Sequence, residues 1–126
     1  MAQTLDQQRA ALAWGYATAS RTLQGDLAGK YRNLAKGAPA LIMNSGLMPT
    51  LAFYKGKGQA EQQLLNDLMS ALVQRLKPTM VPRDFQAFMA MLQSGESRDY
   101  LRYTDEALEL LKWIRQFVDA VEARGA

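Results

Sequence analysis

Cysteine and histidine are both missing from this chain of 126 residues. Their absence excludes disulfides, thiol nucleophiles and every metal site that uses cysteine or histidine ligands. It also removes the side chain that most often serves as general acid or base near neutral pH. The serines therefore have no histidine to activate them. We predict from this that the chain is not an enzyme and carries no metal and no cofactor.

Carboxylates are the remaining candidates for chemistry, and four of them are close in sequence: Asp99, Asp105, Glu106 and Glu109. Paired carboxylates can do acid–base or metal chemistry when they converge in an apolar pocket. These four instead follow the expected start of a helix, where acidic side chains interact favourably with the helix dipole. The sequence therefore favours a structural role for the group.

Long apolar spans are also lacking. No run reaches the roughly 20 apolar residues that cross a bilayer, and the N-terminus has no basic segment followed by an apolar one, as a signal peptide would. The absence of cysteine fits a reducing compartment. We therefore expect a cytoplasmic protein with no membrane contact. A hydrophobic content of 48% over this length predicts a single domain spanning residues 1–126.

Apolar residues recur at helical spacing along the chain, and no stretch alternates with a period of two between turn signals. This pattern predicts an all-α fold, one compact bundle of five to six helices around a buried central helix. The expected helices cover about 4–24, 26–36, 39–54, 59–77 and 83–94, followed by a last helix that starts at Ser97 or Thr104. The sequence leaves that last choice open.

The expected central helix begins at Pro39 and reaches about Tyr54. Its residues are apolar on every side of a helical wheel, which is typical of a fully buried helix. Gly37 is typical of a helix C-terminus and proline of a first turn, so we expect a boundary just before this helix. Pro49 should bend it. Asn44 is expected to be a buried amide with a hydrogen-bonding partner.

Basic side chains occur in groups, with tyrosines among them. Lysine and arginine neutralise phosphates without reading sequence, and such binding weakens as salt rises. The alternative is that each basic residue belongs to a solvated helix face balanced by nearby acids, since the net charge is only +3. The candidate RNA-binding residues are Arg21, Lys30, Arg32, Lys36, Lys55, Lys57, Arg98, Arg102, Lys112 and Arg115.

Three blocks of sequence carry a resemblance to a known family. The first has Arg9-Ala10, Ala13 and an aromatic at Trp14 or Tyr16. The second has Tyr31-Arg32, Pro39, Leu41-Ile42, Asn44-Ser45-Gly46-Leu47, Thr50-Leu51-Ala52-Phe53 and Lys55. The third has Tyr100, Thr104, Glu106-Ala107-Leu108, Trp113-Ile114-Arg115 and Phe117. In this order, the blocks resemble the small helical subunit of the type III-B CRISPR effector, the Cmr complex.

The resemblance implies a role in antiviral defence. Such subunits stack beside the backbone subunits of the complex, and both hold the guide RNA and its paired target RNA in a basic channel. Cleavage of the target belongs to the backbone subunit, so the small subunit is non-catalytic. Stacking of this kind implies head-to-tail self-association, which produces an open filament. We hypothesise that Arg21, Lys30, Arg32, Lys55, Arg98 and Arg115 contribute to the RNA-facing surface.

Two other classes of function remain to be compared with this one. A helical protein–protein adaptor would dock a partner through exposed methionine and aromatic side chains, with no direct nucleic-acid role. Its binding should barely respond to salt, unlike binding to RNA. A helix-turn-helix DNA regulator would need a recognition helix with several base-reading side chains. The expected helix at 83–94 carries few such residues.

Overall fold

The protein is all α-helical throughout the part that the computed structural model describes, which is the backbone of residues 2–125 and the side chains of residues 2–121. The predicted all-α fold class is confirmed. The described part has six helices, the larger of the two numbers predicted. The helices are α1 (Leu5–Ser20), α2 (Leu27–Ser45), α3 (Leu47–Lys55), α4 (Gln59–Leu76), α5 (Phe85–Ser94) and α6 (Ser97–Gly125). None of these described helices is long and apolar enough to cross a membrane.

Two helix starts follow directly from local sequence. The Thr4 hydroxyl accepts a hydrogen bond from the Gln7 amide at 3.1 Å, and the Gln7 side chain accepts one from the Thr4 amide at 2.8 Å. This reciprocal capping box satisfies two amides that lack intrahelical partners at the start of α1. At the start of α5, the Asp84 carboxylate accepts from the Ala87 amide at 3.0 Å.

The expected helix boundary before Pro39 is wrong, because α2 continues through Gly37 and Pro39 to Ser45. A proline inside a helix lacks one backbone hydrogen bond and costs about 3 kcal/mol. Tertiary packing offsets this cost. The buried face of α2, which includes Tyr31 and Ile42, lies against α4 and α6 and is almost completely removed from water.

The break in the apolar stretch lies instead at Gly46, which has φ of +96° and separates α2 from α3. Residues that carry a side chain rarely adopt a backbone conformation with such a positive φ, so glycine is favoured at this position. Pro49 does not bend a helix, since it lies in the first turn of α3, where its missing amide would have no intrahelical partner. The Met48 amide donates to the Tyr100 hydroxyl at 2.9 Å and so joins α3 to α6.

The expectation of burial on every side of this stretch is also wrong. Met43 is 73% exposed, Phe53 is 51% exposed, and Asn44 lies at the surface rather than in the core. The most deeply buried helix is α4, which packs against α2, α3 and α6. Its buried residues are Ala60, Leu64, Leu65, Asp67, Leu68, Met69, Ala71, Leu72 and Val73.

The last helix, α6, packs along α1 and runs antiparallel to α2. Its first turns meet the start of α3 at Tyr100, while Asp119 near its other end meets Lys36 of α2. The helix begins at Ser97, so a start at Thr104 is wrong. Thr104 lies inside α6, and its hydroxyl donates to the Tyr100 carbonyl at 3.0 Å. This long helix therefore extends from one end of the bundle to the other.

Candidate nucleic-acid interface

Three of the ten predicted RNA-binding side chains form ion pairs with carboxylates of residues 2–121. The pairs are Lys30–Asp26 at 3.4 Å, Lys36–Asp119 at 2.8 Å and Lys112–Glu109 at 3.3 Å. Their members are exposed, and pairs of this kind contribute only about 0–1 kcal/mol to stability. A phosphate that approaches one of these lysines also meets its carboxylate, so the attraction is partly cancelled.

Two more of the predicted side chains lie over aromatic rings. The Lys55 ammonium is 5.5 Å from the centre of the Phe85 ring, and the Lys57 ammonium is 5.1 Å from that of Phe53. Cation–π contacts at exposed sites contribute about 0.5–1 kcal/mol. Both lysines remain exposed. Lys55, the last residue of α3, thereby links α3 to α5, and Lys57 links the following turn back to α3.

Arg21 and Arg32 lie toward the end of the bundle where α1 joins α2. Arg21 is exposed at the C-terminus of α1 and lines a shallow depression with Thr18 and with Val121 of α6. Arg32 is half-buried on α2. Arg115 is exposed on α6. The six side chains hypothesised to face RNA are thus spread over several helices.

Lys77, Arg98 and Arg102 lie together at the other end of the bundle, and we call them the basic end. Lys77 and Arg102 line one cleft, while Arg98 and Arg102 line an adjoining depression. All three are exposed, and within residues 2–121 none has a carboxylate oxygen within 4 Å. The sequence analysis singled out both arginines but missed Lys77, whose position depends on where α4 ends.

The predicted residues do not converge on one patch. Arg21 lies beside Val121, and Arg98 lies near the start of the same helix α6. At 1.5 Å per residue, positions 98 and 121 are about 35 Å apart along the helix axis. Because Debye screening acts over about 8 Å at physiological salt, the two ends attract phosphates independently.

Two further arginines are withdrawn from solvent by a shared carboxylate. Glu106 of α6 accepts hydrogen bonds from Arg9 of α1, at 2.8 Å and 2.9 Å, and from Arg75 of α4 at 3.2 Å. Arg75 also donates to the Gln8 side chain at 3.0 Å. This ion cluster, Arg9–Glu106–Arg75, joins three helices. The sequence analysis placed Glu106 in an acidic group at a helix start and did not single out Arg75.

The environment of Glu106 lowers its pKa. Burial alone would raise the pKa of this carboxyl, but the hydrogen bond from Arg9 and the charges of Arg75 and Arg9 outweigh that effect. The bond to Glu106 in turn raises the pKa of Arg9. Glu106 is only 4% exposed. The carboxylate therefore serves as an internal counter-ion, and it is not a free acid or base.

Within residues 2–121, acidic side chains form no other constellation that suggests chemistry. Among the described residues, no three carboxylates are placed to hold one metal ion. Four of the methionines that an adaptor surface could use are also engaged elsewhere, whereas Met43 is exposed. Met69 is buried, and Met80, Met89 and Met91 are half-buried against the core. Their packing matches irregular core filling better than an open partner groove.

Comparison with known proteins matches these observations. Residues 5–121 match the model of the family described as CRISPR-associated protein (Cas_Cmr5). The chain is 30% identical over 107 residues to the CRISPR system Cmr subunit Cmr5 of Thermus thermophilus, covering 84% of this chain and 87% of that protein.

A solved structure shows the same arrangement of helices. The crystal structure of a CRISPR-associated Cmr5 family protein from Thermus thermophilus superimposes with a TM-score of 0.77 at 30% identity. The match covers 94% of this chain and 97% of the other. Since both the family match and the structural match span nearly the whole chain, this protein belongs to the Cmr5 family of small subunits of the type III-B CRISPR complex.

Proposed function

We propose that this chain is a non-catalytic subunit that stacks beside the backbone subunits of the effector and helps hold guide RNA paired with target RNA. Family membership supports its place in the complex. The observation that carries the RNA-binding part is the basic end, where Lys77, Arg98 and Arg102 are exposed and form no ion pair within 4 Å with any described carboxylate. Guide pairing reads the target sequence, so this subunit needs to contact only backbone and shape.

The basic end is favoured over the ion-paired lysines Lys30, Lys36 and Lys112 for an electrostatic reason. A cation without a counter-charge gains the full benefit of displacing counter-ions from a phosphate. An ion-paired lysine such as Lys36 must first lose its interaction with a carboxylate at 2.8 Å. We therefore rank Arg98 and Arg102 as the leading RNA contacts. Arg21 and Arg115 lie farther along the bundle and rank behind them.

The double substitution Arg98→Glu with Arg102→Glu tests this proposal in the reconstituted complex with guide RNA. Each neutralised phosphate contributes about 0.7–0.9 to the slope of log affinity against log salt, so the slope should fall by roughly 1.5. The measurement is target RNA capture over a series of salt concentrations. Glutamate is tolerated at position 98 because acidic side chains interact favourably with the helix dipole in the first turn of α6, and at position 102 because that residue is exposed.

A matched control replaces two lysines that are already paired, Lys30→Glu with Lys112→Glu. This variant lowers the net charge by the same four units as the arginine pair but should change the slope by much less. Wild-type capture by the Arg98/Arg102 variant at every salt concentration contradicts the assignment of RNA binding to the basic end. An equal loss in both variants means that overall charge is what the RNA senses.

Head-to-tail stacking needs two different surfaces on each copy. Large apolar side chains are exposed on separate elements, with Leu101 on α6 and with Met43 and Phe53 on α2 and α3. Sedimentation of the isolated chain over a range of concentrations should show open-ended growth that Phe53→Ser suppresses. A closed dimer that stops growing would argue against filament stacking.

An adaptor role has one observation in its favour. Leu5 and Leu101 are 53% and 61% exposed and line the same depression, so an apolar partner surface could cover both. Retention of this subunit in the complex would then survive removal of the RNA and would barely depend on salt. Loss of the subunit on ribonuclease treatment or at high salt favours the RNA-binding role.

A further inference from the structure

A cleft of about 290 Å³ lies where the ends of α4 and α5 meet the start of α6. Leu76 and Leu92 contribute apolar surface to it, and Lys77, Asp99 and Arg102 contribute charges. Ligand pockets in proteins start at about 300 Å³. The volume is therefore suited to a ligand no larger than one nucleotide unit.

Tyr103 provides the most informative group in this cleft. The residue is only 6% exposed, and its ring packs edge-on against Phe88 with 5.8 Å between ring centres. Its hydroxyl has no hydrogen-bonding partner within residues 2–121 and is not fully buried, so it is accessible from the cleft that Tyr103 lines. The neighbouring Tyr100 hydroxyl, by contrast, already accepts from the Met48 amide. Tyr103 therefore offers a donor that the described part of the fold does not use.

Tyr103 lines the cleft together with the charged residues Lys77, Asp99 and Arg102. Arg102 and Lys77 supply two positive charges and Asp99 one negative charge. The start of α6 adds the partial positive charge of a long helix. This balance favours an anionic ligand that also carries a hydroxyl or amino group for Asp99.

We propose that this cleft binds one phosphorylated ribonucleotide unit. The Tyr103 hydroxyl and the Arg102 guanidinium donate to phosphate oxygens, Lys77 neutralises the remaining charge, and Asp99 accepts from a ribose hydroxyl. The unit is either part of an RNA chain or a free mononucleotide, which present the same chemistry. The RNA source rests on the function proposed above, whereas the mononucleotide source does not.

The isolated full-length chain is tested by NMR titration with two probes, adenosine 5′-monophosphate and a uridine tetranucleotide that has only internal phosphodiesters. Saturable shifts of the Gly95, Asp99 and Tyr103 amides with either probe support the cleft. A response to the monophosphate alone identifies a free mononucleotide, and a response to the tetranucleotide alone identifies an RNA chain. Adenosine without phosphate should bind at least tenfold more weakly than the monophosphate.

The substitution Tyr103→Phe separates binding from folding. It keeps the ring against Phe88 and removes only a hydroxyl that has no partner within residues 2–121, so thermal stability should stay unchanged. Affinity for the responding probe should fall about tenfold, as expected for a hydrogen bond to a charged group. Tyr16→Phe, on the half-buried face of α1, is the control and should leave affinity unchanged.

Several results would overturn the proposal: no saturable shift at these amides with either probe, unchanged affinity in Tyr103→Phe, equal binding of adenosine, or tighter binding of an acidic peptide at the same amides. The proposal for the cleft and the proposal for RNA binding by the basic end can fail independently of each other. Binding of the monophosphate by the isolated chain, together with unaltered RNA capture by the Arg98/Arg102 variant complex, supports the cleft and rejects the wider RNA surface. If neither probe binds the isolated chain and the Arg98/Arg102 variant complex captures less RNA, only the cleft is rejected.

Discussion

Glu106 and Asp67 are two carboxyl groups of nearly equal burial, at 4% and 3% exposure, in opposite electrostatic settings. Glu106 meets two arginines, and its pKa is lowered. Asp67 meets only neutral donors. Tyr31 donates to one of its oxygens at 2.6 Å and Gln63 to the other at 3.1 Å. Burial raises the pKa of Asp67, and these hydrogen bonds and the charge of Arg83 reverse only part of the effect.

The difference shows that the charge of the partners, rather than burial, decides what a buried carboxylate does for this fold. The folded state favours the charged form of Glu106, so this residue stabilises the protein at neutral pH. The folded state disfavours the charged form of Asp67, so ionised Asp67 lowers the stability of the protein at the same pH. Both residues still join helices, since Glu106 links α1, α4 and α6 and Asp67 links α4 to α2.

Removing the charge of Glu106 should have the largest effect. Glu106→Gln leaves Arg9 and Arg75 largely buried without their counter-ion, so the free energy of unfolding should fall by about 3 kcal/mol in urea titrations at pH 7. Glu109→Gln is the control. Its carboxylate is half-exposed and 3.7 Å from Arg9, so the loss should stay under about 1 kcal/mol. Equal losses in the two variants would contradict the role of the ion cluster.

The pH dependence of the same variant sharpens the comparison. Because the pKa of Glu106 is lowered on folding, its contribution is complete above the ordinary value of 4.5 and disappears as the pH falls through the folded pKa. The difference in unfolding free energy between wild type and Glu106→Gln should therefore shrink in acid. A difference that stays constant from pH 7 to pH 3 would assign the loss to packing.

An intermediate effect is expected at Tyr31. Tyr31→Phe removes the hydroxyl that bonds Asp67 and leaves a buried carboxylate oxygen without that donor, which costs about 1–3 kcal/mol. The pKa of Asp67 should then rise further, since the lost hydrogen bond lowers it. Urea titration gives the stability, and NMR of the carboxyl carbon gives the pKa. An unchanged pKa would mean that the bond does not persist in solution.

The smallest effect is expected at Asp67 itself. Asp67→Asn keeps an acceptor for Tyr31 and removes the charge, so the free energy of unfolding at pH 7 should be within about 1 kcal/mol of wild type or higher. Because folding raises the pKa of Asp67, wild type loses stability as the pH rises from the ordinary value of 3.8 to the folded pKa. The advantage of the variant should therefore vanish in acid. A large loss of unfolding free energy in Asp67→Asn at pH 7 would mean that the charge of Asp67 stabilises the fold, as that of Glu106 does.

The sequence alone was sufficient to predict the helical fold class and most helix bounds. Local signals determined these features, such as the Thr4 cap, the Asp84 cap and the periodic apolar stripe of α4. The same local rules failed in the apolar stretch. Gly37 and Pro39 carry boundary signals, yet tertiary packing of α2 against α4 and α6 keeps the helix continuous to Gly46.

The candidate site was less predictable for a related reason. Arg98 and Arg102 could be identified because they belong to a group of basic residues that are close in sequence. Lys77 joins them only through the packing of α4 beside α6. The partners of Glu106 are 97 and 31 residues away in sequence, and no local pattern connects them. Contacts between residues that are far apart in sequence therefore decide which basic side chains are ion-paired and which are not.

Helix α5 has few buried residues, which makes the wall that it contributes to the cleft easier to open. Only Phe88 and Leu92 of its ten residues are fully buried, whereas half of α4 is. Helices with few buried apolar residues open locally before the whole molecule unfolds, so amide protons of α5 should exchange with deuterium well before those of α4. Since α5 forms one wall of the cleft, a nucleotide bound there should hold this helix closed and slow the exchange of its amides.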